Sequence, residues 1–131
     1  MIGLDTNVLV RYVMQDDPRQ SPRATRLIES FSAEAPGFVP VVVLVELVWV
    51  LSGSYGLGRA QVATVLAALL RSKELVVDRA ELVARALRRF SADGADFADA
   101  LIERLSAAAG CTATMTFDAG AVKAAAMTPV P

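Results

Sequence analysis

The chain opens Met1-Ile2-Gly3-Leu4-Asp5-Thr6-Asn7-Val8-Leu9-Val10, and the reading of this stretch decides the fold. Residues 1–4 are a short apolar run that reads as a buried strand. An acid ends the run. A helical segment from Thr6 to Met14 follows and is stopped by Asp16-Asp17-Pro18. A carboxylate at the end of a buried strand is costly unless something compensates it. The remaining residues must supply that compensation and the layers around the strand.

Outward from this unit, strands and helices alternate. Ala24, Leu27, Ile28 and Phe31 repeat at helical spacing, with Ser21 as the expected cap and Pro22 in the first turn. Phe38-Val39 enters a second strand. The run Val41-Val42-Val43-Leu44-Val45-Glu46-Leu47-Val48-Trp49-Val50-Leu51 admits two readings. Its β-branched content favours a strand, and its length and the preceding Pro40 favour a buried helix. Composition alone leans to the strand. Ser52 to Gly58 is a turn-rich connection.

Val62, Val65, Leu66, Leu69 and Leu70 then repeat as a helix. Leu75-Val76-Val77 is a strand ending on Asp78. Val83, Ala86, Leu87 and Phe90 mark a helix whose other face carries Glu81, Arg85, Arg88 and Arg89, with Glu81 and Arg85 spaced to pair. Asp93-Gly94-Ala95 is a break. Asp96 to Ala109 is helical and ends at Gly110. Thr112 to Phe117 is a strand that ends on Asp118. Residues 119–126 form a short helix, and Met127 to Val130 an edge strand suited to Pro129. The alternation predicts one α/β domain over residues 1–131, with a parallel sheet covered by helices.

Composition removes whole classes of chemistry. The chain of 131 residues has no histidine, so Ser/His/Asp triads, Cys/His dyads and HExxH zinc sites are excluded. Catalysis would have to run on carboxylates, hydroxyls, Lys/Arg or a metal. The single cysteine, Cys111, excludes an internal disulfide and is expected to pack; with no secretory leader it points to a reducing cytoplasm. The longest apolar run contains Pro40 and Glu46 and falls short of the roughly 20 residues that span a bilayer. A net charge of −1 argues against general nucleic-acid affinity and leaves room for a local basic patch. The hydrophobic fraction of 54% leaves apolar surface for another chain.

Most acids suit loops and polar faces, including Asp16, Asp17, Glu29, Glu34, Glu74 and Glu81. Others stand at odds with their surroundings. Asp5 and Asp118 end strands, where ligands gather in open parallel sheets. Glu46 interrupts the most apolar run. Asp96 and Asp99 open a helix and share one face of its first turn. Each has a structural alternative: Asp5, Asp96 and Asp99 as helix-capping acids, Asp118 as a turn, Glu46 as half of a buried ion pair. Several carboxylates at one sheet edge repel each other, and a hard divalent cation relieves that repulsion. Oxygen-only donors point to Mg²⁺ or Mn²⁺, which activate water and stabilise in-line phosphoryl displacement.

Four segments in order resemble the motifs of PIN-domain ribonucleases, and of VapC-type toxins of bacterial toxin–antitoxin pairs. They are Asp5-Thr6-Asn7-Val8-Leu9-Val10-Arg11-Tyr12, Val45-Glu46-Leu47-Val48-Trp49-Val50-Leu51, Ala95-Asp96-Phe97-Ala98-Asp99-Ala100-Leu101-Ile102 and Thr116-Phe117-Asp118. The resemblance implies a PIN-like three-layer fold, a central parallel sheet of about four to five short strands flanked by helices. It makes the Glu46 segment a helix, against the lean of composition. It implies a catalytic set of Asp5, Glu46, Asp99 and Asp118, with Asp5 and Asp99 as ligands of Mg²⁺ or Mn²⁺. Asn7, Asp96 and Thr116 would support the site or orient substrate. RNA as substrate, an antitoxin chain and a homodimer are the implied partners, with no membrane. One departure stands out: no Ser or Thr precedes the glutamate helix, where Pro40-Val41 stands instead.

Arg79, Arg85, Arg88 and Arg89, with Arg11 near the first acid, are the candidate phosphate contacts; the alternative is a solvated face paired with Glu81. Two rival functions use similar acids. A Mg²⁺-dependent phospho-receiver also places acids at strand ends, yet wants neighbouring acids after its first strand. A PIN domain without catalytic activity would only bind a partner.

Overall fold

The computed structural model describes all 131 residues, in the order β1 (Ile2–Gly3), α1 (Thr6–Met14), α2 (Gln20–Glu29), β2 (Gly37–Val39), α3 (Val41–Trp49), a π-helical turn (Val50–Ser54), α4 (Arg59–Arg71), β3 (Leu75–Val77), α5 (Ala80–Ala92), α6 (Phe97–Ala108), β4 (Met115–Thr116), α7 (Ala119–Ala124) and β5 (Thr128–Pro129). The alternating α/β pattern of the sequence is realised, with seven helices and every strand pairing parallel. The chain forms two compact units, Met1–Ala80 and Glu81–Pro131.

In the first unit, β1, β2 and β3 make one sheet in that order, with Gly3 opposite Phe38 and Val39 opposite Val77. Parallel neighbours need long crossovers, supplied by α1–α2 and by α3, the π turn and α4. Helix α1 packs on α2 and α3, and α4 on β3. The core is Leu4, Leu9, Val39, Leu44, Leu47, Leu51, Val62 and Leu66, each at most 3% exposed. The first strand departs from expectation: Met1 and Ile2 are 77% and 55% exposed, and only Leu4 is buried. As the end strand of the sheet, β1 has a neighbour on one side only.

The Val41–Leu51 run is helical, as the resemblance implied and composition did not. Pro40 precedes it with extended backbone and gives no side-chain cap. The helix places Val43, Leu44, Leu47 and Val48 inward; Val42, Glu46 and Trp49 share the exposed face. A strand would have alternated. Burial of a continuous helical stripe outweighs the weak strand preference of valine. The Ser21 expectation is also corrected: Ser21 is buried, its Oγ accepts from the Asp17 amide at 3.2 Å, and Asp17 takes the amides of Arg19 and Gln20 at 2.9 and 2.7 Å.

In the second unit, α5 and α6 bury Val83, Ala86, Phe90, Phe97, Ala100 and Leu101, with the Phe90 and Phe97 rings edge to face at 6.3 Å. Gly110 follows α6 with φ +94°, a conformation that favours glycine. The expected Thr112–Phe117 strand contracts to Met115–Thr116, whose partner β5 offers only two residues. The amides of Thr128 and Val130 reach the Thr114 and Thr116 carbonyls at 2.8 and 3.1 Å, and Pro129, with no N–H, faces away. The five strands thus divide into a three-stranded and a two-stranded ladder. Cys111 is exposed, not packed, because it lies beyond α6 in the chain leading to β4. Glu81 and Arg85 form no ion pair; Glu103 instead binds Arg104 at 2.6 Å and Arg89 at 3.4 Å.

Gly37 sits where a Cβ would come within 2.6 Å of the buried Phe31 ring. Gly37→Ala is expected to destabilise by about 1–3 kcal/mol in urea denaturation. Gly53→Ala, where a Cβ meets nothing within 4 Å, should leave stability within about 0.5 kcal/mol of the parent.

Candidate active site

The first pair of acids is organised by one threonine. Asp5 is exposed, not buried, and caps α1: its Oδ1 accepts the Thr6 amide at 2.8 Å. Thr6 is buried, and its Oγ1 donates to Glu46 Oε1 at 2.8 Å. Thr6 therefore holds both carboxylates, one through its backbone and one through its side chain. Glu46 has no arginine partner and is itself exposed, so the buried ion pair and the burial cost expected from its apolar neighbours both disappear. The helix explains why: Glu46 emerges between Val42 and Trp49 on the outward stripe. The cap on α1 is Asp5, while Thr6 and Asn7 are its first helical residues.

These acids line a pocket of about 570 Å³ together with Thr6, Asn7, Arg11 and Tyr55. The sequence reading missed Tyr55 and placed Asp16 among the solvated acids. The π turn changes both, since the Tyr55 amide bonds the Val50 carbonyl five residues back at 3.2 Å. Tyr55 Oη then donates to Asp16 Oδ2 at 2.6 Å, and Arg11 Nη1 reaches Asp16 Oδ1 and Tyr55 Oη, each at 3.2 Å. The Tyr55 hydroxyl first, and Arg11 after it, hold the Asp16 carboxyl below the usual range. A lone tyrosine inside a glycine-rich turn was the available signal.

The second group of acids lies in the second unit. Asp96 caps α6, accepting the Asp99 amide at 2.9 Å. Asp118 caps α7, accepting the Gly120 amide at 2.8 Å, and its own amide donates to Thr116 Oγ1 at 3.0 Å. Thr116 thus steadies Asp118. The Asp99 carboxylate receives no such bond. Partial burial pushes its pKa up, and the charges of Asp96 and Asp118 push it further.

Each cap bond occupies one carboxylate oxygen and leaves the other, so capping does not exclude a ligand role. All donors are oxygens, which suits a hard divalent cation, and added positive charge would offset the acidic neighbours that raise Asp99. No group of three or more Asp, Glu, Cys or His stands close enough to enclose an ion. Mg²⁺ does not need such a cage, since one or two carboxylates with water and substrate phosphate suffice.

The parallel strands, the helices that cover them and the acids at strand ends and helix starts define an α/β domain with acidic side chains at its sheet edges. The chain belongs to the PIN domain family, whose model matches residues 2–127 and so runs through both units. PIN domains are in general nucleases that hydrolyse phosphodiester bonds, bind RNA and use divalent metal ions. No individual curated protein matches the chain. No helix is long and apolar enough to cross a membrane.

Two measurements check this geometry. Thr6→Val, which removes the donor to Glu46, should cost about 1 kcal/mol in urea denaturation, and Thr6→Ser should recover most of it. In EDTA, the Asp99 carboxyl should titrate above the ordinary carboxylate range by NMR, and Asp118→Asn should lower it part of the way. A raised native pKa means that the folded state holds this proton more tightly than the unfolded one. Its contribution to stability therefore falls as pH rises from the unfolded pKa through the raised native one. Asp99→Asn should then stabilise the metal-free protein above that window and lose the advantage below it.

Proposed function

We propose that the protein is a Mg²⁺- or Mn²⁺-dependent endoribonuclease, the toxin of a VapC-type toxin–antitoxin pair, acting as a single PIN domain over residues 1–131 in the cytoplasm. Asp5 and Asp99 hold the metal. Glu46 and Asp118 complete the catalytic acids, and Asn7, Asp96 and Thr116 support them or orient RNA. The observation that carries the reading is the Thr6 bridge, which fixes Asp5 and Glu46 at the end of β1 with two bonds of 2.8 Å. Family membership adds the nuclease class and removes the phospho-receiver alternative.

The metal supplies Lewis acidity and a more acidic water. The residues hold the charge pattern. Thr6 keeps Glu46 oriented as an acceptor, and a carboxylate in that position can take a proton from water or a ribose hydroxyl. Asp99 is raised by burial and its two acidic neighbours, and a cation beside it would offset that repulsion. Arg11 brings the only positive side chain to the Asp5–Glu46 pocket.

The outward stripe of α3 supports a protein partner. Val42 and Trp49 are 64% and 65% exposed on either side of Glu46, an apolar surface suited to an antitoxin chain or a second copy. Neutralisation by an antitoxin that covers these acids fits the toxin reading.

Purified protein should cleave RNA with Mg²⁺ or Mn²⁺ and stop on addition of EDTA. Asp5→Asn and Asp99→Asn should each lower the rate by about 10²-fold or more, with unchanged thermal melting for Asp5→Asn. Full activity in EDTA would refute metal dependence. A well-folded wild type that cuts no RNA with either metal would leave the partner-binding, inactive PIN domain as the correct reading.

A further inference from the structure

A second groove adjoins the Asp5–Glu46 pocket and has no role in the chemistry above. It has a volume of about 410 Å³ and runs between α1 and α2. Asn7, Val8 and Arg11 line it from α1; Gln20, Arg23 and Leu27 line it from one stripe of α2. Asn7 and Arg11 belong to both pockets. The lining carries two arginines and no acid, whereas the neighbouring pocket carries Asp5 and Glu46.

Arg11 is built into place at the junction. Its Nε donates to Gln20 Oε1 at 2.9 Å, and its Nη1 is taken by Asp16 and Tyr55. Nη2 makes none of these bonds and keeps its two N–H groups. A guanidinium fixed through one edge and open at another is a preorganised phosphate donor. Arg23 lies one turn along α2 from Gln20, is exposed, and joins no ion pair. The side-chain amides of Asn7 and Gln20 offer hydrogen bonds, and Val8 and Leu27 offer half-buried apolar surface.

We infer that this groove is a nucleotide subsite: it takes the nucleotide next to the cleaved bond of a single-stranded RNA. Arg11 bonds the phosphate shared between the two pockets, Arg23 bonds the next one, and the base lies over Val8 and Leu27 within reach of Asn7 and Gln20. Three features select RNA over an acidic peptide. The cations stand at successive positions leading away from the acids, the lining combines amides with an apolar floor, and the groove is continuous with the proposed cleavage pocket. Unstacked single strands present base and phosphate together in this way. The inference rests on the ribonuclease reading.

The test is fluorescence anisotropy with a labelled pool of short single-stranded RNAs in EDTA, over a salt series, beside cleavage assays with Mg²⁺. The variants are Arg23→Ala, Arg23→Lys, Gln20→Glu and, on α4 outside the groove, Arg71→Ala. Gln20→Glu keeps an acceptor for Arg11 and adds a repelling charge. Arg23→Ala and Gln20→Glu should weaken binding about three- to ten-fold, and Arg23→Ala should lower the salt slope by about 0.7. Arg23→Lys should keep the slope, and Arg71→Ala should bind as wild type. If wild type binds and cleaves RNA while Arg23→Ala and Gln20→Glu match Arg71→Ala, the subsite is refuted and the ribonuclease reading stands. If both variants bind RNA normally but lose a co-purifying protein, the groove is a protein interface and the inference is overturned. If wild type neither binds nor cleaves RNA, the ribonuclease reading itself fails and takes the subsite with it.

Discussion

Thr6 is the constraint on which the acidic pocket depends. Its amide serves Asp5 and its hydroxyl serves Glu46, each at 2.8 Å. Forty residues of chain separate the two acids it joins. Two carboxylates near each other repel, and a neutral donor between them holds both without cancelling either charge. An arginine in the same place would have neutralised the pocket. The buried threonine keeps the acids aligned and leaves them available to a cation.

The same economy appears at the other acids. Asp5, Asp96 and Asp118 each begin a helix and each spend one oxygen on a backbone amide. The helix N-terminus stabilises the negative charge, and the cap bond fixes the carboxylate's direction. Asp99 differs, since burial and its neighbours raise its pKa and no cap bond relieves it. At the three capping positions the helix start makes a concentrated negative charge tolerable without a neighbouring cation.

Positive charge is placed beside this negative field and kept apart from it. Asp16, Tyr55 and Gln20 draw Arg11 to the pocket rim, so its guanidinium does not fall onto Asp5 or Glu46. Arg89, which the sequence offered as a phosphate contact, is instead engaged with Glu103 and the Ala125 carbonyl. Arginines with equal claims in the sequence thus take different roles, because their partners come from distant segments.

Local pattern determined much of this protein. The alternation of elements, the Thr6–Met14 helix, the Leu75–Val77 strand and the break at Gly94 depend on neighbours in the chain, and the sequence shows them directly. Order and spacing of the four acidic motifs likewise identified the family. Tertiary structure decided what local pattern leaves balanced. Val41–Leu51 is a helix because one stripe of it is buried, and that choice moves Glu46 from an expected interior to an exposed face. β1 is exposed as the end strand of its sheet, and Cys111 in the connection between α6 and β4. The Thr6 bridge and the Arg11–Asp16–Tyr55 cluster join residues about forty positions apart. No periodicity encodes such contacts; only the packing of α1 on α3 and the π turn after α3 bring those side chains together.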